Sequence, residues 1–371
     1  MARIAIVHPI LRASGGQDYL ALSMASSLSI RHHTIVLTLE SADPRTIAER
    51  MRIDLSGVGL VKIPLVVPSV RERLQRLSKI IGSRALLWLG RETLKECDLV
   101  IETQSNAMLP VDVCYIHYPS TLPTRPDRSL VFKAYNAIVV GLSRSLDKRA
   151  CKVLTNSRWT ARIIEEVYGV RPRVLYPPVD TEFFSSGGLL RGRDRVRAFV
   201  TVTRVTPEKR VEELLGLASV MRDWAFIIVG FSEPQNPYLG RLHEEKARKR
   251  LSNVFFVVNA PRDYLRRLLR MAKYYLHPPF REHFGISVVE AMAAGTPPIV
   301  YRGGGSWSDV VKPLDHRLGY KSVYEVPRIV EYAERRYTEL QEKAVNVSRK
   351  FSVERFREEA LNMIEGILSV R

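Results

Sequence analysis

Residues 280–298, FREHFGISVVEAMAAGTPP, carry the signals for a tight loop, a helix and a helix stop in one run. A strand is predicted to end just before them, near His277, and the helix is predicted to begin between Gly285 and Ser287. Gly295 stands where a C-terminal capping glycine is expected, and the prolines after it cannot continue a helix. In open α/β sheets such a loop lies at the carboxyl end of a parallel strand, where ligands bind. The segment therefore predicts a doubly wound α/β domain with a binding site at this loop.

The same alternation of short apolar runs and longer helical patterns extends through the whole chain. The runs are almost continuously apolar, which is typical of parallel strands covered on both faces. Because strands that alternate with helices form βαβ units, two such series predict two Rossmann-like domains. The predicted strands are Ile4–Val7, Thr34–Leu39, Leu99–Glu102, Val111–Ile116, Val153–Asn156, Val174–Tyr176, Phe199–Thr203, Phe226–Val229, Val254–Val258, Tyr274–His277 and Pro298–Tyr301.

The length of 371 residues also favours two domains, since single cores usually stop growing below this size. Pro, Gly, Ser and charged residues concentrate between positions 177 and 193, which is typical of a linker. We predict a first domain at 1–185, a second at 186–351 and an amphipathic helix at 352–371. The apolar stripe of that helix is formed by Phe356, Ala360, Met363, Ile364 and Ile367.

The composition is strongly basic, with 57 Lys and Arg against 39 Asp and Glu and a formal net charge of +18. Such a charge implies an anionic partner: nucleic acid, an anionic membrane surface or a phosphorylated substrate. The three cysteines form no CxxC pair and no Cys/His cluster, which argues against a zinc site or a disulfide framework. The sequence shows neither a signal-peptide pattern at its start nor an apolar run of about 18 residues, so we expect a cytoplasmic location.

The loop and helix at 282–290 combine anion-binding and sugar-binding chemistry. Backbone N–H groups at Gly285, Ile286 and Ser287 would be free at a helix start, where the helix dipole also favours an anion. Glu282 and Glu290 would flank this start, and carboxylates accept hydrogen bonds from sugar hydroxyls. Glu290 alone is more simply a glutamate that stabilises its helix, and the combination favours a nucleotide-sugar site.

This segment resembles the E-x7-E signature of the retaining glycosyltransferases of family 4, including their Ala-Met-Ala-x-Gly-x-Pro run. The resemblance implies the GT-B fold, in which two Rossmann-like domains face each other across a cleft and the C-terminal helix packs back on the N-terminal domain. It also implies transfer of a sugar from a nucleotide-sugar with retention of configuration.

Other segments are similar to the same family. Arg204 and Lys209 follow a strand and are predicted to open a helix, as in the family's R-x4-K element. Residues 303–305, three glycines, with Asp309 resemble its glycine-rich loop. Val113–Ser120, Asn156–Thr160 and Glu282–Glu290 resemble the mannosyltransferases that extend the dolichol-linked oligosaccharide on the cytosolic face of the endoplasmic reticulum. Residues 41–95 match no part of the family that can be placed.

The resemblance implies a role for each matching residue. Glu282 and His117 would be catalytic: Glu282 orients the transferred sugar, and His117 contacts it from the first domain. Glu290 would bind the ribose, and His283 and Phe284 the sugar. The donor diphosphate would be bound by Arg204, Lys209, Gly16, Gly285, Ile286 and Ser287. Since no Asp-x-Asp motif occurs, we expect neither a metal ion nor another cofactor.

The expected partners are a nucleotide-sugar donor, with GDP-mannose favoured, and a glycan or lipid-linked acceptor. Residues 71–95 are rich in Arg and Lys with interleaved Leu and Ile, so they either lie on an anionic membrane or pack on the first sheet with solvated arginines. A GT-B enzyme that uses a UDP- or ADP-sugar and a soluble acceptor is the alternative. A nucleic-acid-binding protein is not expected, because no recognisable binding module accompanies the charge.

Overall fold

The chain forms two compact units, one of Met1–Pro177 with Phe356–Arg371 and the other of Pro178–Arg355. In each unit a parallel sheet is flanked by helices. A computed structural model describes residues 1–11, 15–39, 43–65, 75–122, 130–144, 151–232 and 235–370.

The sheet of the first unit has the strand order β3-β2-β1-β4-β5-β6-β7 in the described part of the chain. Its central strands are almost fully buried because helices cover both faces, and this explains their continuous apolar sequences. The strands are β1 (Arg3–Val7), β2 (His33–Leu39), β3 (Val58–Ile63), β4 (Leu99–Glu102), β5 (Val113–Ile116), β6 (Lys152–Thr155) and β7 (Arg173–Val174).

The helices of the first unit are α1 (Gly16–Leu28), α2 (Pro44–Met51), α3 (Gln75–Leu89), α4 (Arg91–Lys95), α5 (Leu130–Arg144) and α6 (Arg158–Tyr168). α3 packs on the sheet through Ile80 and Leu86, which are fully buried in two hydrophobic clusters. The unit is completed from Phe356 onward by α14 (Val353–Leu368), in which Glu365 accepts hydrogen bonds from Arg31 at 3.2 and 3.3 Å.

The sheet of the second unit has the order β10-β9-β8-β11-β12-β13 within the described residues. Its strands are β8 (Val196–Arg204), β9 (Ala225–Phe231), β10 (Val254–Val258), β11 (Ala272–Leu276), β12 (Pro298–Tyr301) and β13 (Gly319–Tyr320). Its helices are α7 (Thr181–Ser185), α8 (Glu212–Val220), α9 (Pro237–Arg248), α10 (Arg262–Met271), α11 (Ile286–Ala293), α12 (Val326–Glu334) and α13 (Tyr337–Ser348). β8 pairs with β9 and with β11, so the carboxyl ends of β8 and β11 lie side by side.

The unit boundaries differ from the linker positions expected from composition. The second unit begins at Pro178 rather than at residue 186, because α7 packs against α11. The helix expected from 352 begins at Val353, and its first residues belong to the second unit. The first four residues of the basic segment 71–95 lie outside the described residues, and the remainder forms α3 and α4.

Candidate active site

Helix α11 begins at Ile286 and ends as its sequence predicts. Gly295 adopts a left-handed φ of 72°, and the N–H of Thr296 donates to the carbonyl of Ala291 at 2.9 Å, which closes the helix end. At the other end Gly285 precedes the helix with a φ of 94°, a conformation that favours glycine.

The start of α11 leaves backbone donors available for an anion. Within the described part of the chain, the N–H groups of Gly285, Ile286 and Ser287 donate no hydrogen bond. Ile286 and Ser287 are only half-buried. Unpaired N–H groups at a helix N-terminus, together with the helix dipole, favour binding of a phosphate or another anion.

Glu282 lies four residues before α11 and forms a close ion pair with Lys209. The Lys209 ammonium donates to Glu282 Oε2 at 2.8 Å, and the Lys209 Nζ also lies 4.0 Å from the centre of the Phe280 ring. His277 Nε2 lies 3.8 Å from the same Glu282 oxygen. The pair is poorly solvated, since the side chains of Lys209 and Glu282 are only 10% and 26% exposed. The structure thus brings together two residues that the sequence separates widely.

The surroundings of Glu282 keep its carboxylate ionised. Burial by itself would raise the pKa of Glu282, but the Lys209 ammonium and His277 outweigh burial and hold that pKa well below its usual value. Burial lowers the pKa of the half-buried His283 to about 4, so its imidazole is neutral at pH 7. The loop before the helix start therefore presents a negative carboxylate and a neutral imidazole, and the Lys209 ammonium lies against that carboxylate.

The glycine-rich loop after β12 fixes the backbone of Glu282. Gly304 pairs with Glu282 as an isolated parallel bridge and has a φ of 87°. A Cβ atom at Gly304 would lie 2.1 Å from the carbonyl oxygen of Glu282, so no larger residue fits without moving the loop. Ser306 follows in a π-helical turn, and its N–H donates to the same carbonyl at 3.4 Å.

Arg204 and Lys209 are placed differently from the sequence prediction. Arg204 is the exposed last residue of β8, and Lys209 ends a 3-10 turn that begins at Pro207 rather than opening a helix. The helical conformation is interrupted there because Arg210 adopts a left-handed φ of 51°, and α8 begins only at Glu212. Arg204 makes no ion pair with any described residue, so it does not join the Lys209–Glu282 pair.

Tyr275 was not predicted as a site residue, yet it anchors the start of α11. Its hydroxyl lies 2.9 Å from Ser287 Oγ and donates to the Val202 carbonyl at 3.3 Å. Burial raises the pKa of Tyr275, and the charges of Glu282 and Glu290 act in the same direction. Because Tyr275 lies between Tyr274 and Leu276 in an apolar run, its sequence pattern is that of a core residue.

Glu290 is buried on α11, about one helical turn after its start. Burial raises the pKa of Glu290, while the neighbouring Arg262 lowers it and Asp180 raises it further. Arg262 also lies 5.5 and 5.4 Å from the rings of Phe183 and Phe184. Arg262 is thus a cation that acts on Glu290, the residue that the sequence resemblance assigns to the ribose, and no motif identified it.

Phe284 lies in the core rather than on an open surface. Its side chain is buried and its ring packs edge-on against Phe351 with centroids 5.2 Å apart. Any contact of Phe284 with a ligand would therefore come from its backbone.

His117, in the first unit, follows β5 and is held by a loop after β4. Its Nε2 lies 3.1 Å from the Thr103 carbonyl, which can only accept, so Nε2 carries the proton. Its backbone N–H donates to Asn106 Oδ1 at 2.7 Å, and Asn106 has a left-handed φ of 58°.

Glu102, at the end of β4, holds the loop after β4 by accepting hydrogen bonds from Gln104 and Ser105. Its carboxylate is fully buried and accepts four hydrogen bonds of 2.6–2.8 Å. The donors are the hydroxyls of Ser83 and Ser105 and the N–H groups of Gln104 and Ser105. Burial raises the pKa of Glu102, and these donors oppose the rise. A lone glutamate at the end of a strand gives no sequence signal for this function.

Gly16 is the first residue of α1, after Gly15 at the N-cap. The helix start is tied to β1 by the buried His8, whose Nε2 lies 2.9 Å from Asp18 Oδ1. His8 Nδ1 lies 2.8 Å from the hydroxyl of Thr103, so this network reaches the loop that holds His117. The residues between β1 and Gly15 include 12–14, which lie outside the described residues.

The described residues lack two kinds of feature. They contain no group of three or more His, Cys, Asp or Glu side chains that could hold a metal ion. They also contain no helix long and apolar enough to cross a membrane.

The chain is similar to known glycosyltransferases. The family model "Glycosyl transferases group 1" matches residues 191–347. The chain is 26% identical to the GDP-Man:Man(3)GlcNAc(2)-PP-Dol alpha-1,2-mannosyltransferase of Xenopus tropicalis, over 85% of this chain and 76% of the relative. It is 25% identical to the human protein of the same name, over 84% and 74%.

Solved structures are similar to the whole chain at low identity. The Anabaena protein HepE in complex with UDP and glucose matches with a TM-score of 0.71 and 17% identity, covering 98% of this chain and 100% of that one. Sucrose-phosphate synthase from Thermosynechococcus elongatus matches with a TM-score of 0.75 and 14% identity, with full coverage of both chains. At these identities the similarity establishes the fold.

The two parallel sheets flanked by helices and the similar solved structures confirm the predicted GT-B fold. The match of residues 191–347 to the group 1 model and the similarity to the mannosyltransferases together identify a glycosyltransferase, as the resemblance in the sequence predicted.

Proposed function

We propose that this glycosyltransferase moves mannose from GDP-mannose to a lipid-linked oligosaccharide, with retention of anomeric configuration. The observation that carries the proposal is the ion pair between Lys209 Nζ and Glu282 Oε2, which are 2.8 Å apart. It lies next to the start of α11, where the backbone N–H groups are unpaired among the described residues. The names of the similar mannosyltransferases support the choice of donor and acceptor.

The main task of such a site is to stabilise the nucleoside diphosphate that leaves. Lys209, the exposed Arg204 and the N–H groups that begin α11 supply positive charge for it. Since protein cations and backbone dipoles perform this task, we propose that no metal ion is required. Chelation with EDTA should leave the transfer rate unchanged.

The remaining residues would hold the sugar and the nucleotide. Glu282, ionised at neutral pH, orients the transferred sugar and stabilises positive charge at its anomeric carbon. Glu290 accepts from the ribose hydroxyls, and His117 contacts the sugar. In the reaction the bond from the anomeric carbon to the phosphate oxygen breaks, and a bond to the acceptor oxygen forms on the same face. The acceptor proton passes to the departing phosphate oxygen.

A second candidate donor is a UDP-sugar. It is favoured by the similarity to HepE, which was solved with UDP and glucose. With such a donor the acceptor need not be lipid-linked, and the same diphosphate-binding residues would be used.

Two measurements test the proposal. Unfolding temperatures are recorded with GDP-mannose, UDP-glucose and ADP-glucose; the right donor at about 100 times its Kd should add roughly 2.7 kcal/mol of stability. The protein is then incubated with GDP-mannose and Man(3)GlcNAc(2)-PP-Dol, and the products are analysed by mass spectrometry. We expect addition of a hexose that an alpha-1,2-mannosidase removes, and its loss in Glu282→Ala. Transfer from UDP-glucose but not from GDP-mannose would overturn the assignment of the donor.

A lipid-linked acceptor also places the reaction at a membrane surface. We propose that the protein works peripherally on the cytoplasmic face, which is one of the two interpretations that the sequence left open for the basic segment 71–95. The described part of this segment, helices α3 and α4, is the starting point for the inference that follows.

A further inference from the structure

Helix α3 exposes an apolar row on the side away from the sheet. Ile81, Trp88 and Leu89 share one face of the helix, and Ile81 and Trp88 are 51% and 65% exposed. The opposite side is already used, because Ile80 and Leu86 are fully buried in the core of the unit. The exposed row is therefore not needed for packing of α3.

Helix α5 exposes a second apolar row. Ala134, Ala137, Ile138 and Gly141 follow one another at helical spacing, and all four are exposed. Ile138 is 54% exposed, and a Cβ atom added at Gly141 would meet nothing within 4 Å. A solvated helix of a globular protein normally carries polar residues on such a face.

The two rows belong to neighbouring helices. α3 and α5 contact each other, and Arg84 Nη2 donates to the Leu142 carbonyl at 2.7 Å. Arg84 lies one turn from Ile81 and from Trp88 along α3, and Leu142 lies one turn after Ile138 along α5. Since this hydrogen bond connects the helices within one turn of each row, we infer that the rows form one surface, the α3–α5 face, with Ile81, Trp88, Leu89, Ala134, Ala137 and Ile138.

The positive charge around the α3–α5 face favours an anionic partner over a second copy of the protein. Residues 75–95 and 130–144 contain seven Lys and Arg but a single acid, Glu92. Two copies of so basic a surface repel each other, which disfavours a dimer through this face. An anionic bilayer surface attracts it. Trp88, with the Arg91 guanidinium 5.7 Å from its ring centre, combines an amphipathic ring and a cation, as at the boundary between acyl chains and headgroups.

We propose that the α3–α5 face docks on anionic phospholipid, with Trp88 and Ile138 inserted at the interface and Lys133, Arg91 and Lys95 among the headgroups. The helices would lie in the plane of the interface, as amphipathic helices do. The inference deepens the proposed function, since a lipid-linked acceptor is carried by a bilayer, but it depends only on this surface.

Vesicle binding tests the inference without donor or acceptor. The whole protein is co-sedimented with vesicles of phosphatidylcholine alone and with vesicles containing about one third phosphatidylglycerol. We expect binding to the anionic vesicles that weakens with added salt, and a blue shift of tryptophan fluorescence. Trp88→Glu and Ile138→Glu should each lower the partition coefficient about ten-fold, and Lys133→Gln about five-fold.

Val220→Glu is the matched control, because Val220 is an equally exposed apolar residue, 62% accessible, at the end of α8 in the second unit. It should leave vesicle binding unchanged. All variants alter exposed positions, so unfolding temperatures and the stabilisation by GDP-mannose should match those of the unaltered protein.

If no binding to anionic vesicles occurs at low salt, or if the Glu variants bind as well as Val220→Glu, the inference is wrong. A concentration-dependent dimer that Ile138→Glu dissociates would identify a second copy as the occupant and overturn it. Failure of GDP-mannose to stabilise a protein that still binds vesicles would refute the proposed donor and leave this inference standing.

Discussion

Replacing Lys209 by Met removes the cation of the candidate site while keeping most of the side-chain volume. At 2.8 Å and an effective dielectric constant of about 20, the attraction between Lys209 and Glu282 amounts to about 6 kcal/mol. Much of this offsets the desolvation of the two charges. Removing one partner of a buried pair typically costs about 3–5 kcal/mol, because the other charge remains buried.

We expect the lower end of that range for Lys209→Met, about 3 kcal/mol. Glu282 keeps its contact with His277, and 26% of its side-chain surface stays exposed to water. Both features reduce the loss of unfolding free energy, because the remaining charge is partly compensated. For a unit of this size the change lowers the unfolding temperature by about 6–12 °C, measured by differential scanning calorimetry. The pKa of Glu282 should rise in the variant, since burial then acts without the ammonium.

The double variant Lys209→Met/Glu282→Gln should recover about 2 kcal/mol, because it contains no unpaired buried charge. GDP should bind Lys209→Met about ten- to a hundred-fold more weakly, as expected for the loss of a charge-assisted hydrogen bond to phosphate. Lys273→Met is the control: its 2.6 Å pair with Glu334, which is 37% exposed, should contribute about 1 kcal/mol or less and should not affect GDP. Wild-type stability and GDP affinity in Lys209→Met would refute the reasoning.

Three further changes test other parts of the site. Gly304→Ala places a Cβ atom against the Glu282 carbonyl, so transfer should fall at least about ten-fold while the far-UV circular dichroism is kept; full activity would show that the loop can move. His283 has a folded pKa of about 4, below its unfolded value near 6.5, so stability should fall as pH drops through that interval, and His283→Gln should flatten this part of the pH–stability curve; an unchanged slope would contradict the assigned burial. Glu102→Gln replaces an acceptor of four hydrogen bonds by a group that also donates, so kcat should fall through misplacement of His117 while GDP binding stays unchanged; a change confined to GDP binding would exclude this positioning effect.

Much of the second unit could be predicted from sequence because its signals are local. The helix start at Gly285 and the helix end at Gly295 depend on glycine conformations that the neighbouring residues specify. The ends of β10 and β12 agree with their apolar runs because both strands are bounded by turn residues.

The strand β3 was missed for a physical reason. Val58–Ile63 contains Gly59 and Lys62 and lies at the sheet edge, where half of its residues need not be apolar. The continuous apolar pattern that revealed the central strands is therefore absent from it.

The pairing of Lys209 with Glu282 could not be predicted from spacing, because 73 residues separate them. It follows from strand order: β8 pairs with β11, and the loops after these strands meet at their carboxyl ends. Tyr275 and Glu102 were missed because each looks like an ordinary residue of a strand until its hydrogen-bond partners are known.

The first unit is assembled from both ends of the chain, and this has a consequence for its synthesis. A ribosome delivers every residue of Pro178–Arg355 before it delivers Phe356 and Ile364, which are buried in the first unit. Until α14 is made, the earlier-made unit lacks the apolar residues that this helix buries in it, while the later-made unit can already fold. We would look for chaperone dependence, and for damage from C-terminal nonsense mutations, in the half of the molecule that is translated first.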